Sequence, residues 1–268
     1  MRSRTSFSTG QHGQPTVDEP PSRSPNQVGR GDHALFRLTA ALGVLGVATV
    51  VAMEVFLHPN RAHPNNSHAA FREYAASGSF TSIHIGDFIG TICIVLALVA
   101  LYRAVARQGG WPRACATVGV VAAVVTAALF AVQMAVDGVA LKSAVDDWVS
   151  APASEKPVAF RVADGIRDVE KGLSGFFQIS NGIALLGLGL AVALGRSQPR
   201  WLGVVGALAG VGALIGGWTT AHTGFSTAAS RFSLPTVVLL VVFVLGVCTV
   251  LWRQEFVPGT VDESAGPA

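Results

Sequence analysis

Residues 114–139 read ACATVGVVAAVVTAALFAVQMAVDGV, and no charged side chain interrupts them before Asp137. A bilayer core about 30 Å thick takes roughly 20 apolar residues of helix, so this run can cross it with length to spare for tilt. Its apolar residues are continuous rather than alternating, which excludes a strand of a closed barrel. The strongly polar residues, Gln133 and Asp137, fall at one end. That asymmetry recurs along the chain.

Five more runs have the same character: 35–57, 83–103, 173–195, 201–222 and 234–252. They explain why the 268 residues are 50% hydrophobic and only 13% charged, with a mean hydropathy of +0.49, where a soluble domain carries about 25% charged residues. The fold class is therefore all-α, a polytopic membrane bundle of six transmembrane helices. Its principal partner is the lipid bilayer. The net charge of +3 is too small to indicate nucleic acid, and no stripe of basic and aromatic residues accompanies it.

Arginine placement orients the bundle. Arg2, Arg4, Arg23, Arg30 and Arg37 precede or open the first span. Arg103, Arg107 and Arg113 fill the second loop, Arg196 and Arg200 the fourth, and Arg253 follows the last span. With six crossings all of these share one side, which the positive-inside rule makes cytoplasmic, so both termini are expected inside. Trp111, Trp201 and Trp252 stand at the same boundaries, as an interfacial aromatic belt would. Abundant Ala, Gly, Val and Arg with only three lysines points to a bacterial cytoplasmic membrane.

Residues 1–33 and 254–268 are expected to be disordered cytoplasmic tails, being too polar to bury a core. No apolar segment with a cleavage site precedes the first run, which reads as a retained signal anchor. The outer loop 58–82 contains two copies of His-Pro-Asn, at 58–60 and 63–65, and with His68 is expected to be an exposed, turn-rich segment. In the loop before span four, Val162, Ile166, Val169 and Leu173 recur at the spacing of one helical face, and Pro157 stands ahead of them. An amphipathic helix over about 157–172, lying on the outer surface and leading into the fourth span, is the expectation.

Spans four and five are rich in glycine. Gly206 and Gly210, then Gly212 and Gly216, form GxxxG pairs opposite Gly182, Gly187 and Gly189. Small residues let helix backbones approach closely in lipid. Cys93, Cys115 and Cys248 lie within or beside apolar runs and form no CxxC pair, so they read as small buried hydrophobes.

The ionisable and strongly polar residues of the spans gather at their outer ends. Glu54 and His58 are one turn apart, and His84 and Asp87 share a face. Gln133 and Asp137 share another. On span four Glu170, Ser174, Gln178 and Asn181 form a stripe running inward, His222 closes span five, and Arg231 precedes span six. Ionisable residues in a membrane span are costly and default to a functional role. Glu54, His84, Asp87, Asp137, Glu170, Gln178, Asn181, His222 and Arg231 are accordingly the candidate ligand-binding set, around an outward-facing polar cavity.

His84, Asp87 and His222 supply imidazole and carboxylate, the donors of a divalent-metal site, with Glu54 or Asp137 as a further ligand or base. The plan resembles membrane hydrolases that hold a metal between His and Asp residues at helix ends. Their paired histidines on a late helix are missing, since His222 stands alone. Haem ligation by His84 and His222 is not expected, because membrane b-type cytochromes usually carry more than one such pair.

The six-span plan, the short arginine-rich inner loops and the outer Glu/His/Asp ends resemble small bacterial integral membrane proteins known as domains of unknown function. That resemblance covers about 35–252, rests on layout and implies no catalytic residues. No Walker A loop, GxGxxG or GxSxG elbow is present. Three classes fit the sequence: binding or transport of a small ligand or ion, a metal-dependent membrane hydrolase using His84, Asp87 and His222, and a structural or partner-binding subunit. Homo-oligomerisation is left open.

Overall fold

Every apolar run forms a helix, because a segment in lipid must satisfy its own backbone hydrogen bonds. The computed structural model describes residues 30–59 and 61–253. The tails expected at 1–33 and 254–268 lie outside the described residues, except that 30–33 already belong to the first helix. The helices are α1 (Arg30–Val51), α2 (Ser67–Ala76), α3 (Phe80–Ala106), α4 (Gly110–Ala135), α5 (Lys142–Ser150), α6 (Lys156–Leu194), α7 (Arg200–Thr223) and α8 (Thr227–Trp252). Two wider π turns extend them: Ala52–Leu57 ends α1, and Val136–Leu141 joins α4 to α5. No strand occurs among the described residues.

Six helical stretches are long and apolar enough to cross a membrane: His33–Leu57, Phe80–Ala106, Gly110–Ser150, Lys156–Leu194, Arg200–Thr223 and Thr227–Trp252. The chain is a multi-pass membrane protein. Helix α1 packs on α3 and α8, α3 on α4, α4 on α6, α6 on α7, and α7 on α8, so the spans close a ring. One end of the ring holds Glu54, Asp87 and Asp137 and is called the polar end. The other carries Arg103, Arg107, Arg196 and Arg200, with Trp111, Trp201 and Trp252 exposed beside them. At this arginine end Phe36, Leu101, Leu188, Leu202, Phe243 and Leu251 are fully buried and fill the ring.

The third and fourth spans run well past the others. Gly110–Ser150 has 41 residues and Lys156–Leu194 has 39, each about 60 Å of helix at 1.5 Å per residue. That is roughly twice the hydrocarbon thickness. They project beyond the polar end as a hairpin, on which α2 docks. Asn66 caps α2 by accepting a hydrogen bond from Ala69 N (3.2 Å), and Ser67 Oγ donates to Asp164 Oδ1 (2.6 Å). Ala70, Phe71 and Tyr74 bury against Phe80, Leu141, Val145, Trp148 and Ala163, a second small core. His68 stacks flat on Phe160, ring centroids 3.9 Å apart. The segment expected to be wholly turn-rich thus contains a packed helix.

The helix expected to lead into span four is continuous with it as part of α6. Of its apolar stripe Val162 and Val169 face outward, each 55% exposed, and Ile166 packs against the second core, while Ala163, Arg167, Glu170 and Ser174 are buried. An unbroken helix keeps one phase throughout its length. Since Ser174 faces the ring interior lower down, Glu170 and Arg167 must face the same way above.

The glycines also divide differently from the GxxxG reading. Gly182 and Gly189 of α6 meet Gly203 and Gly210 of α7, each pair seven residues apart, the repeat of a left-handed seam. A Cβ on Gly182 would lie 2.8 Å from Leu214 N and 2.9 Å from Gly210 O. Gly206 and Gly212 face Phe243 and Thr236 of α8 instead, and Gly187 faces Gly119 of α4. Gly210→Leu should therefore lower stability by about 3 kcal/mol or more through overpacking. Gly165→Ala, where no atom lies within 4 Å, should be neutral or stabilising by up to about 1 kcal/mol through helix propensity. Thermal unfolding of both variants in detergent checks the contrast.

Candidate functional site

The polar end is shaped by the two π turns. In a π turn the amide bonds five residues back, and His58 N donates to Met53 O at 2.8 Å. Such turns widen a helix locally and concentrate at functional sites. Each carries an acidic residue, Glu54 in the first and Asp137 in the second. Helix α3 docks on the second: Thr81 Oγ1 donates to Gly138 O (2.7 Å), and a Cβ on Gly138 would land on His84 Cβ. A glycine there lets the His84 ring reach Asp137.

From His84 a chain of charges crosses the vestibule. His84 Nδ1 bonds Phe80 O (2.8 Å) and Nε2 bonds Asp137 Oδ2 (3.0 Å). Asp137 Oδ1 lies 4.0 Å from Arg167 Nη1, which donates to Glu170 Oε2 at 2.6 Å. Arg167 is 3% exposed. Its Nη2 donates to Pro64 O (3.4 Å), and its guanidinium sits 4.8 Å from the Phe225 ring centroid and 5.4 Å from that of Tyr74. Burial pushes the Tyr74 phenol up to about 12, against the opposing pull of Arg167. The His58 ring lies 5.5 Å from that of His84. Burial lowers its pKa from the ordinary value; Glu54 and Asp137 oppose the shift, while His84 and Arg167 reinforce it.

Two cavities meet at this end. The vestibule, about 390 Å³, is lined by Glu54, His58, Tyr74, His84, Asp137, Arg167 and Glu170 among others. Deeper in the ring lies a chamber of about 340 Å³, to which all six spans contribute. Glu54, Phe130, Gln133, Ser174 and Phe177 line both and form the neck between them. Gln133 Nε2 donates to Ser174 Oγ (2.7 Å) across the neck. The stripe of Glu170, Ser174, Gln178 and Asn181 runs from vestibule to chamber wall.

Of the candidate residues, Glu54, His84, Asp87, Asp137, Glu170, Gln178 and Asn181 line one cavity or both. His222 and Arg231 do not. His222 is exposed, its Nδ1 bonding Trp218 O (2.8 Å), and Arg231 is exposed on α8. The inward face of α7 is taken by Gly210, Gly217 and Thr220, which are buried, so Trp218 and His222 turn outward. The His84, Asp87 and His222 set therefore does not converge, and both His84 nitrogens are engaged. Among the described residues no three His, Cys, Asp or Glu side chains are grouped to hold a metal ion. Residues the sequence reading left out, Arg167, Tyr74 and Phe225, complete the vestibule. Arg167 was legible: it extends the Glu170–Asn181 stripe by one turn.

Comparison with protein-family models, with curated proteins and with solved structures gives no match for this chain.

Removing one partner of a buried ion pair leaves an uncompensated charge, at a cost of about 3–5 kcal/mol. Arg167→Gln should lose stability on that scale, and Arg167→Met with Glu170→Gln should recover a good part of it, both read by thermal unfolding. The lowered pKa of His58 has a definite sign. Its contribution is intact above the unfolded value of about 6.5 and is lost as pH falls toward the lower folded value. His58→Gln should flatten this part of the wild-type stability profile between about pH 7.5 and 5.5, measured by melting at each pH.

Proposed function

We propose that this chain is a multi-pass protein of a bacterial cytoplasmic membrane that binds a small polar or charged ligand in a cavity open to the outer face. One observation carries this reading. Among the described residues, the buried side-chain polar atoms without a hydrogen-bond partner are Asp87 Oδ1 and Oδ2, Gln133 Oε1, Asp137 Oδ1 and Arg167 Nε. All four residues line the joined cavities. Buried polar atoms in native proteins are nearly always paired, and each exception calls for an explanation. Unsatisfied atoms gathered on the walls of one space call for a polar occupant, which is water in the free chain and, in this reading, a polar ligand in the bound one. Hydrogen bonds that only knit helix ends together would leave no such surplus.

Orientation rests on the arginines and interfacial tryptophans, which assign the closed end to the cytoplasm and the open end to the outside. Because the buried core seals the arginine end, the arrangement described is a binding state. Transport would require the ring to open there.

The test is a thermal-shift screen of the detergent-purified chain against small ions, amines, carboxylates and sugars. A true ligand at 100 times its Kd should stabilise the protein by about 2.7 kcal/mol. Ser174→Phe, which fills the neck and removes the Gln133 hydrogen bond, should melt earlier than the wild type and show no further shift with the ligand. If no compound stabilises the wild-type chain, the reading fails.

A further inference from the structure

Resting on that reading, we propose that the inner chamber takes a small organic cation with an apolar body, its charge held by Asp87 and Glu54. Asp87 is 1% exposed, lines the chamber, and accepts no hydrogen bond from an amide, hydroxyl or cationic donor at either carboxylate oxygen; the group beside it is the Glu54 carboxyl. Gln133 Oε1, at the neck, is likewise buried and unpartnered. The unpartnered buried atoms facing the chamber are thus all acceptors. They call for a donor or a positive charge.

The chamber wall supplies hydroxyl and amide donors, among them Thr91, Asn181 and Ser233, but no positive charge. No Lys, Arg or His is among the chamber-lining residues. The nearby cations are committed in the vestibule, His84 to Asp137 and Arg167 to Glu170. Glu54, exposed and lining both cavities, lies within electrostatic reach of Asp87 and adds a second negative charge. A buried carboxylate beside a second acid is strongly disfavoured without a counter-charge, and a bound cation would supply one.

The rest of the wall decides what kind of cation. Val47, Leu98, Phe130, Phe177, Leu240 and Val244 present an aliphatic and aromatic surface. A hard metal ion needs about six oxygen ligands in a compact shell, and no three acidic, His or Cys groups converge among the described residues. An ammonium with a hydrocarbon body uses both parts of the space: the charge at the carboxylates, the body against the valines and leucines. Phe130 and Phe177, ring centroids 4.8 Å apart at the neck, offer faces that attract such a cation on its way in. The volume of about 340 Å³ lies at the lower end of the range for small-molecule pockets, roughly 300–1,000 Å³.

The experiment titrates benzyltrimethylammonium calorimetrically into the full chain in nanodiscs, beside Asp87→Asn and Glu54→Gln. Neopentylbenzene, its uncharged isostere, and benzenesulfonate serve as competitors. We expect saturable binding to the wild type, weakened about 30-fold or more in Asp87→Asn by loss of a desolvated charge partner, with no displacement by either competitor. Should Asp87→Asn melt early, Glu54→Gln decides, because that side chain is exposed and its loss leaves the packing intact. Equal affinity in the folded variants, or displacement by neopentylbenzene, would overturn the proposal. So would proton uptake at the two carboxylates without ammonium binding. If the ammonium fails but a neutral or anionic compound stabilises the wild type and not Ser174→Phe, ligand binding stands and the cation assignment falls. If nothing binds, both fall.

Discussion

Arg167 holds the polar end of this protein together. A guanidinium almost wholly removed from solvent is tolerable only with carboxylates and carbonyls around it, and Glu170, Asp137 and Pro64 O provide them. Those partners come from separate parts of the chain: the hairpin arm α6, the π turn after α4, and the loop before α2. The requirement to surround one charge therefore ties three segments that also share the second apolar core. It also explains the length of α6. Arg167 lies about one and a half helical turns from Gly172 at the polar-end edge of span four, so the helix must continue unbroken to it to keep the side chain aimed inward.

The opposite requirement governs the interior of the ring. Where α6 meets α7, glycines at seven-residue intervals remove side chains so that the backbones can touch. Lipid gives no hydrophobic reward for such contact, so close packing has to supply the attraction. The seam consumes the inward face of α7, and with it any chance for His222 to join the site. Gly46 of α1 with Gly90 of α3, and Gly119 of α4 with Gly187 of α6, make further close contacts, and side chains of all six spans line the chamber between them.

How much of the site was legible depended on whether the helical phase could be read locally. Glu170, Ser174, Gln178 and Asn181 lie on one continuous helix, and their spacing is enough to place them on one face. Gln133 and Asp137 were readable for the same reason. His222 was not, because the sequence of α7 offers two faces, and only the neighbour's glycines decide which turns inward. The periodicity of Val162 and Val169 marked a helix there without telling which of its faces turns inward. Here the face carrying Arg167 and Glu170 has the stronger claim on the interior, and the valines are turned out. The π turns left no trace in residue periodicity.

The sequence alone determined that there are six apolar helices, which end of each is polar, and which end carries the arginines. These properties follow from composition along a single segment, since the cost of a charge or an unpaired backbone group in lipid is a local matter. The tertiary structure decided which polar ends face one another, which acceptors are left without partners, and that the hairpin and α2 cap the site. Those outcomes depend on helix rotation and on distances between segments far apart in the chain, such as the 53 residues separating His84 from Asp137. No local pattern encodes rotation about a helix axis once a segment carries apolar residues on every side; packing against its neighbours sets it.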